Sequence, residues 1–278
     1  MTQNNLNSIF KKGSTTYFYS SIFFPEKIKK DVFSLYGFVR TADDLVDSVP
    51  QQHKAFRELV QNYGRAKDGE KTGIIYIDSF VDLERRLGFD PEWTYAFLRS
   101  MEMDLSGREY KTASDVEDYM YGSAEVIGLF MAKILRLPLE SYHYARLLGK
   151  AMQYTNFIRD IDEDWGMRRT YFPKEDFDEF GLSSLSREHT ESHPEAFRAF
   201  MRKKVSQFRE LQSEAEKGFK YIPRRLLIPI RTASEMYKWT ASEIYRDPFI
   251  VYRRKVKPSI SRIVLEAGRN TFFPGVSR

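Results

Sequence analysis

Two pairs of aspartates in this chain, Asp43 with Asp47 and Asp160 with Asp164, each stand four residues apart, which is close to one turn of an α-helix. At 100° per residue, Tyr36, Arg40, Asp43 and Asp47 fall within about 60° of one another, and Gln153, Asn156, Asp160 and Asp164 share a second narrow face. Like charges at this spacing cost an isolated helix a few tenths of a kcal/mol, so the bare chain gains nothing from either pair. An amide and carboxylates in a row do present several hard oxygens. Mg²⁺ takes a small number of such ligands and keeps waters and substrate phosphates in its remaining positions. Two rows facing each other would therefore make a site for several Mg²⁺ ions and a diphosphate. Taken singly, an acidic pair at i and i+4 more often marks a solvated face. What points to a site is the repetition, each pair having polar residues on its own face and an Arg close by (Arg40, Arg159), whose planar guanidinium suits phosphate oxygens.

The elements that must carry these rows are helices. Apolar residues recur at three and four residues almost everywhere along the 278 positions. Pro25 opens a long helix whose buried stripe would be Ile28, Val32, Leu35 and Val39, running to about Val49, where Pro50 stops it. Further helical patterns cover roughly 52–64, 77–88, 91–104, 114–136, 139–165, 194–219 and 224–246, while 65–76 and 181–193 read as loops. No fixed-period repeat and no low-complexity linker divides the chain, so the expectation is a single all-α domain over 1–278, with 1–13 as a loosely ordered arm.

Composition narrows the classes. Hydrophobic residues at 42% and charged residues at 30% describe a globular protein rather than a disordered one. Seventeen Tyr and 22 Phe supply ring surface that packs a core or shelters a bulky apolar or cationic species. Without cysteine there is no disulfide, no thiolate nucleophile and no Cys-based zinc site, which fits a cytoplasmic protein. The longest apolar run, Val126 to Ala132, is too short to span a bilayer. A net charge of +5 is compatible with nucleic acid, anionic lipid or a phosphorylated substrate. The basic stretch Arg253-Arg254-Lys255-Val-Lys257 is short, with Tyr252 its one aromatic neighbour. It reads as a solvated face or a peripheral contact with a membrane surface, not as a nucleic-acid site. The sequence is silent on oligomeric state.

Several segments together resemble the squalene/phytoene synthases, and within them bacterial or archaeal phytoene synthases most. Ser14-Thr-Thr-Tyr17-Phe-Tyr-Ser-Ser21-Ile-Phe-Phe-Pro25 is similar to that family's N-terminal substrate flap and the start of its first helix, and Tyr36 to Asp47 to its first aspartate motif. Tyr119-Met-Tyr121-Gly-Ser-Ala124-Glu125-Val-Ile-Gly128 resembles the central signature. Gly149 to Asp164, followed by Arg169-Thr-Tyr171-Phe-Pro173, resembles the second aspartate motif with its trailing Arg-x-Tyr. The departure is Glu125, where many members carry glycine. It would either reach a cavity or pair with a nearby Arg or Lys.

The resemblance implies an all-α isoprenoid synthase fold around a central cavity. Asp43, Asp47, Asn156, Asp160 and Asp164 would hold two or three Mg²⁺ ions, with the four aspartates and Tyr171 as catalytic residues. Arg40, Gln153, Arg159 and Arg169 would contact diphosphate oxygens, with Ser14, Tyr36 and Tyr171 near the leaving group and Tyr17, Ser21, Tyr121 and Tyr237 elsewhere at the substrate. Plainer roles stand beside these: Tyr36 and Tyr121 as core residues, Ser14 as a helix cap, Arg169 as a surface charge. The implied reaction joins two prenyl diphosphates head to head through a cyclopropyl diphosphate. Ser21 is small where related C30 dehydrosqualene synthases place a bulky aromatic residue. That favours two C20 chains and phytoene, made without NADPH, over a C30 squalene, dehydrosqualene or hydroxysqualene product. Non-catalytic family members that act as assembly factors have lost metal-binding carboxylates, which this chain keeps. A terpene cyclase would spread Asn, Ser or Thr, and Glu along its second motif, unlike Asn156 to Asp164.

Overall fold

A computed structural model describes residues 21, 24–107 and 110–272. Among these the chain is helical, with no strand. The α-helices run in order as α1 (Glu26–Asp47), α2 (His53–Lys67), α3 (Ile75–Leu87), α4 (Pro91–Ser106), α5 (Ala113–Met120), α6 (Val126–Ile134), α7 (Tyr142–Arg159), α8 (Ile161–Gly166), α9 (Lys174–Asp178), α10 (Arg187–Ser192), α11 (Pro194–Glu216), α12 (Arg224–Arg246) and α13 (Ile260–Phe272). The all-α expectation holds, and 224–246 is matched end to end.

Two apolar cores flank the middle of the molecule. One gathers Val32, Phe38, Phe80, Phe97 and Phe130 from α1, α3, α4 and α6. The other gathers Met120, Phe157, Phe200, Phe208 and Tyr237 from α5, α7, α11 and α12. Helix α1 belongs to the first core through Phe38, Ala42 and Val46, all fully buried. Of its expected stripe, Val32 and Leu35 are buried in the same core with Ile28 and Val39 packed against it, and Val32, Leu35 and Val39 also line the gap between the cores.

Helices α6 and α7 approach backbone to backbone, because glycine stands at both crossing points. A Cβ on Gly128 would lie 2.0 Å from the Ala145 carbonyl oxygen, and one on Gly149 would lie 2.3 Å from that of Ala124. No side chain fits there. Gly149→Ala is therefore expected to push α7 off its seat and lower stability by about 2 kcal/mol, the cost of overpacking outweighing the gain in helix propensity. A thermal denaturation curve checks it, and an unchanged midpoint would refute the close crossing.

Three local departures from the expected helices matter. The run 114–136 is broken by a wide π-turn at Tyr121–Glu125, a feature often found at functional sites. The run 139–165 opens with a 3₁₀ turn at Leu139–Ser141 and kinks at Asp160 (φ −100°, ψ 16°), between α7 and α8. Helices α9, α10 (within the expected 181–193 loop) and α13 are additions.

Candidate active site

A cavity of about 820 Å³ lies between the two cores, and both oxygen rows line it. Asp43 and Asp47 come from the last two turns of α1, while Asn156, Asp160 and Asp164 come from α7, the kink and α8. The rest of the wall is largely apolar, including Leu35, Ile127, Met131, Leu135, Met152 and Met236. The site thus joins a hard, charged region to a greasy one.

Basic side chains hold the aspartates in place. Arg40 pairs with Asp43 at 2.5 Å and with Asp44 at 2.5 Å, while its buried Nε has no partner. Arg159 grips Asp160 with two bonds, Nε at 2.8 Å and Nη2 at 2.5 Å, and Lys255 Nζ stands 3.4 Å from the same carboxylate. Arg169 is buried. It donates to Asp47 at 2.7 Å and to the Val46 carbonyl at 2.5 Å, tying the segment after α8 to the end of α1. Asn156 donates to Gln153 Oε1 at 3.0 Å, and its own Oδ1 is buried without a donor.

Below the first row sits Asp104 of α4, 5% exposed. It accepts from Tyr119 Oη at 2.8 Å and Tyr171 Oη at 2.7 Å, and Tyr171 stacks on Phe157 with ring centroids 4.5 Å apart. This group pins two phenols into the cavity wall.

Positive charge does not balance so many carboxylates. Burial, reinforced by the charge of Asp47 and opposed by Arg40, raises the pKa of Asp43 to about 7. Asp164 is pushed well above the usual carboxylate range by burial, then by Asp160 and by Asp47 on the opposite helix. Burial also raises Asp104 to about 6, against the pull of Arg169, Tyr171 and Tyr119. The two rows therefore feel one another across the cavity.

This donor set fits Mg²⁺. The crowded carboxylates lack cations, and the orphaned Asn156 Oδ1 is a hard acceptor facing the same cavity. Among the described residues no three acidic or imidazole side chains converge as a complete cage.

A pH dependence follows. Asp43 and Asp104 bind their protons more tightly folded than at their ordinary value of 3.8. The stability they confer is thus complete below about pH 4 and is lost as pH rises through about 6 to 7. Without metal, the thermal midpoint should fall across that window. Mg²⁺ with pyrophosphate, which favours the charged carboxylates, should flatten the fall. Parallel curves with and without the pair would contradict the assignment.

Most residues singled out from sequence converge. Ser21, Tyr36, Arg40, Gln153, Arg159, Tyr171 and Tyr237 all line the cavity with the two oxygen rows, and Arg169 stands behind Asp47. Ser14 and Tyr17 lie outside the described residues. Tyr121 packs against the first core under the Arg146 guanidinium, the plainer of its two expected roles, and Tyr119 lines the cavity wall. Glu125 pairs with Arg146 at 2.8 Å and with Lys150 at 3.8 Å, the second of the two roles open to it. Of the basic run, Arg253, Arg254 and Lys257 are exposed as expected, whereas Lys255 is partly buried and lines the cavity beside Asp160. Sequence reasoning missed Asp104 altogether and gave Tyr119, the first residue of the central segment, no role.

Comparison with known proteins places these features in context. The profile of the squalene/phytoene synthase family matches residues 10–263. A 4,4'-diapophytoene synthase of Staphylococcus haemolyticus is 28% identical over 182 residues, 64% of each chain. The chloroplastic phytoene synthase of Narcissus pseudonarcissus is 24% identical over 94% of this chain and 64% of its own, so the chain spans 64% of the length of both. A 15-cis-phytoene synthase of Synechocystis is 26% identical over 86% of this chain and 75% of its own. Among solved structures, a dehydrosqualene synthase in complex with ligand superposes with a TM-score of 0.86 at 23% identity, covering 98% of this chain and 95% of that one. That likeness establishes a common fold.

Proposed function

Because this chain belongs to the squalene/phytoene synthase family, we propose that it joins two prenyl diphosphates head to head through a cyclopropyl diphosphate, with two C20 geranylgeranyl chains giving phytoene. The observation that carries this reading is the pair of oxygen rows on separate helices, lining one cavity whose remaining wall is largely apolar.

Ionising an allylic diphosphate separates charge, so the departing anion must be stabilised as the carbocation forms. Mg²⁺ held by Asp43, Asp47, Asn156, Asp160 and Asp164 would supply most of that stabilisation. Arg40, Arg159 and Lys255, already beside those carboxylates, turn to the diphosphate oxygens and hold the leaving group in one orientation. Arg169 keeps Asp47 aimed at the cavity. The first C–O bond breaks and the double bond of the second substrate attacks the cation. A proton leaves as the cyclopropane closes. Loss of the second diphosphate, rearrangement and loss of one more proton end the sequence. Phe97, Phe157 and Tyr237 in the wall exclude water and offer ring faces to the cation, each worth about 0.5–2 kcal/mol.

The C20 assignment rests on Ser21, which lines the cavity and whose small side chain would leave room that an aromatic one would fill. The relatives include both diapophytoene and phytoene synthases, so a C30 product is the second reading. Purified protein with Mg²⁺ and either farnesyl or geranylgeranyl diphosphate, with and without NADPH, decides by product mass. A C40 hydrocarbon formed without reductant is expected, and product from farnesyl diphosphate alone would overturn the C20 reading. Among the described residues no helix is long and apolar enough to cross a membrane.

A further inference from the structure

Nine large apolar side chains are exposed among the described residues, and four of them, Ile260, Val264, Leu265 and Phe272, lie on α13 alone. At 100° per residue they occupy an arc of about 140° that contains no charged residue. The opposite side of α13, through Ile263, Ala267 and Asn270, is buried, Asn270 bonding Thr232 of α12. The arc is therefore not the helix's packing face. Leu265 is 75% exposed and Phe272 77%, which water disfavours and a monomeric surface rarely gathers in one place.

One edge of this arc is basic. Arg262 and Arg269 fall about 40–60° beyond Leu265 on the same helix. Both line a groove of about 650 Å³ between α11, α12 and α13, which Arg209 and Arg246 also line. Arg262 lies over the Trp239 ring at 4.7 Å and Arg209 over the Tyr245 ring at 4.5 Å. Neither guanidinium has a carboxylate partner among the described residues. With each guanidinium carbon over a ring, their N–H groups stay open to an anion even though Glu216, Glu235 and Glu266 also line the groove.

We propose that α13 docks the protein on an anionic phospholipid bilayer, its uncharged arc entering the boundary between headgroups and acyl chains while Arg209 and Arg262 hold lipid phosphates at the edge. A bilayer surface is the occupant that matches both halves of this surface, because it presents phosphates and hydrocarbon side by side. A soluble anion would account for the arginines and leave the arc bare. The segment leading into α13 places Pro258 in the wall of the central cavity, two residues before Ile260, so docking sets the cavity beside the lipid. The proposal stands on the surface alone and does not depend on the reaction.

Co-sedimentation of the full chain with phosphatidylcholine vesicles, with and without phosphatidylglycerol, tests it. Binding is expected to the anionic vesicles and to weaken as salt is raised. Leu265→Glu with Phe272→Glu should weaken it at least tenfold, and Arg209→Gln or Arg262→Gln about fivefold each. The thermal midpoint of every variant should stay near that of the parent, since these side chains lie on the surface. Failure of the parent chain to bind at low salt, or unchanged binding by the Leu265/Phe272 variant, would overturn the proposal. Displacement by millimolar inorganic phosphate would do so too, assigning the groove to a free anion. So would a dimer in sedimentation velocity that Leu265→Glu dissolves without any vesicle binding, which would make the arc a contact between copies.

Discussion

Asp43→Asn and Asp164→Asn should each reduce turnover by about 10³-fold while leaving the fold intact, the scale seen when one preorganised group that stabilises transition-state charge is removed. Each aspartate faces the cavity from a different helix, so equal sensitivity would show that both rows act on one leaving group. Stability should move the other way. Burial and neighbouring carboxylates hold both side chains above their ordinary pKa, and a neutral amide relieves that repulsion in the metal-free protein. The thermal midpoint near pH 7 should therefore stay level or rise. The parent protein should gain stability from Mg²⁺ with pyrophosphate and the variants should gain much less. A variant that keeps full activity would remove its row from the mechanism.

The second large effect is expected at Arg169. Its side chain is 6% exposed, and it holds Asp47 and the Val46 carbonyl together at the end of α1. Arg169→Leu leaves Asp47 without the guanidinium that pairs with it and removes a favourable charge from Asp104. Asp47 is 38% exposed and partly solvated, so losing its partner together with the bond to the Val46 carbonyl should cost about 2 kcal/mol and lower the midpoint by several degrees. Arg169→Lys restores charge without the two-pronged geometry that spans Asp47 and Val46, and should recover stability in part and turnover hardly at all. Equal turnover by Arg169→Lys and the parent would mean that charge alone is needed there.

How far sequence reveals this site depends on where each residue finds its partners. The aspartate rows are legible because the residues of each lie within a dozen positions, the first on one regular helix and the second on two helices joined at Asp160, where spacing still translates into a shared face. Asp104 left no such trace. Its partners, Tyr119 and Tyr171, arrive from 15 and 67 residues further on, and a lone acid near the end of α4 has no pattern of its own. Tyr121, given to the substrate by the resemblance, packs against the first core at the π-turn, a local break that no spacing in the sequence announces. Lys255 read as part of a basic surface run because nothing local announces that the chain folds back to put it 3.4 Å from Asp160. Helix α13 escaped for a different reason. Its buried stripe includes the polar Asn270 while its exposed side carries Val264 and Leu265, which inverts the usual amphipathic pattern.

The central claim is that both oxygen rows act on metal-bound diphosphate while two chains are joined head to head. Counting pyrophosphate released per hydrocarbon formed from geranylgeranyl diphosphate, with and without Mg²⁺, tests it most directly. Two pyrophosphates per C40 product, and none when the cation is chelated, is the predicted result. Release that persists without a divalent ion, or a ratio of one, would contradict it.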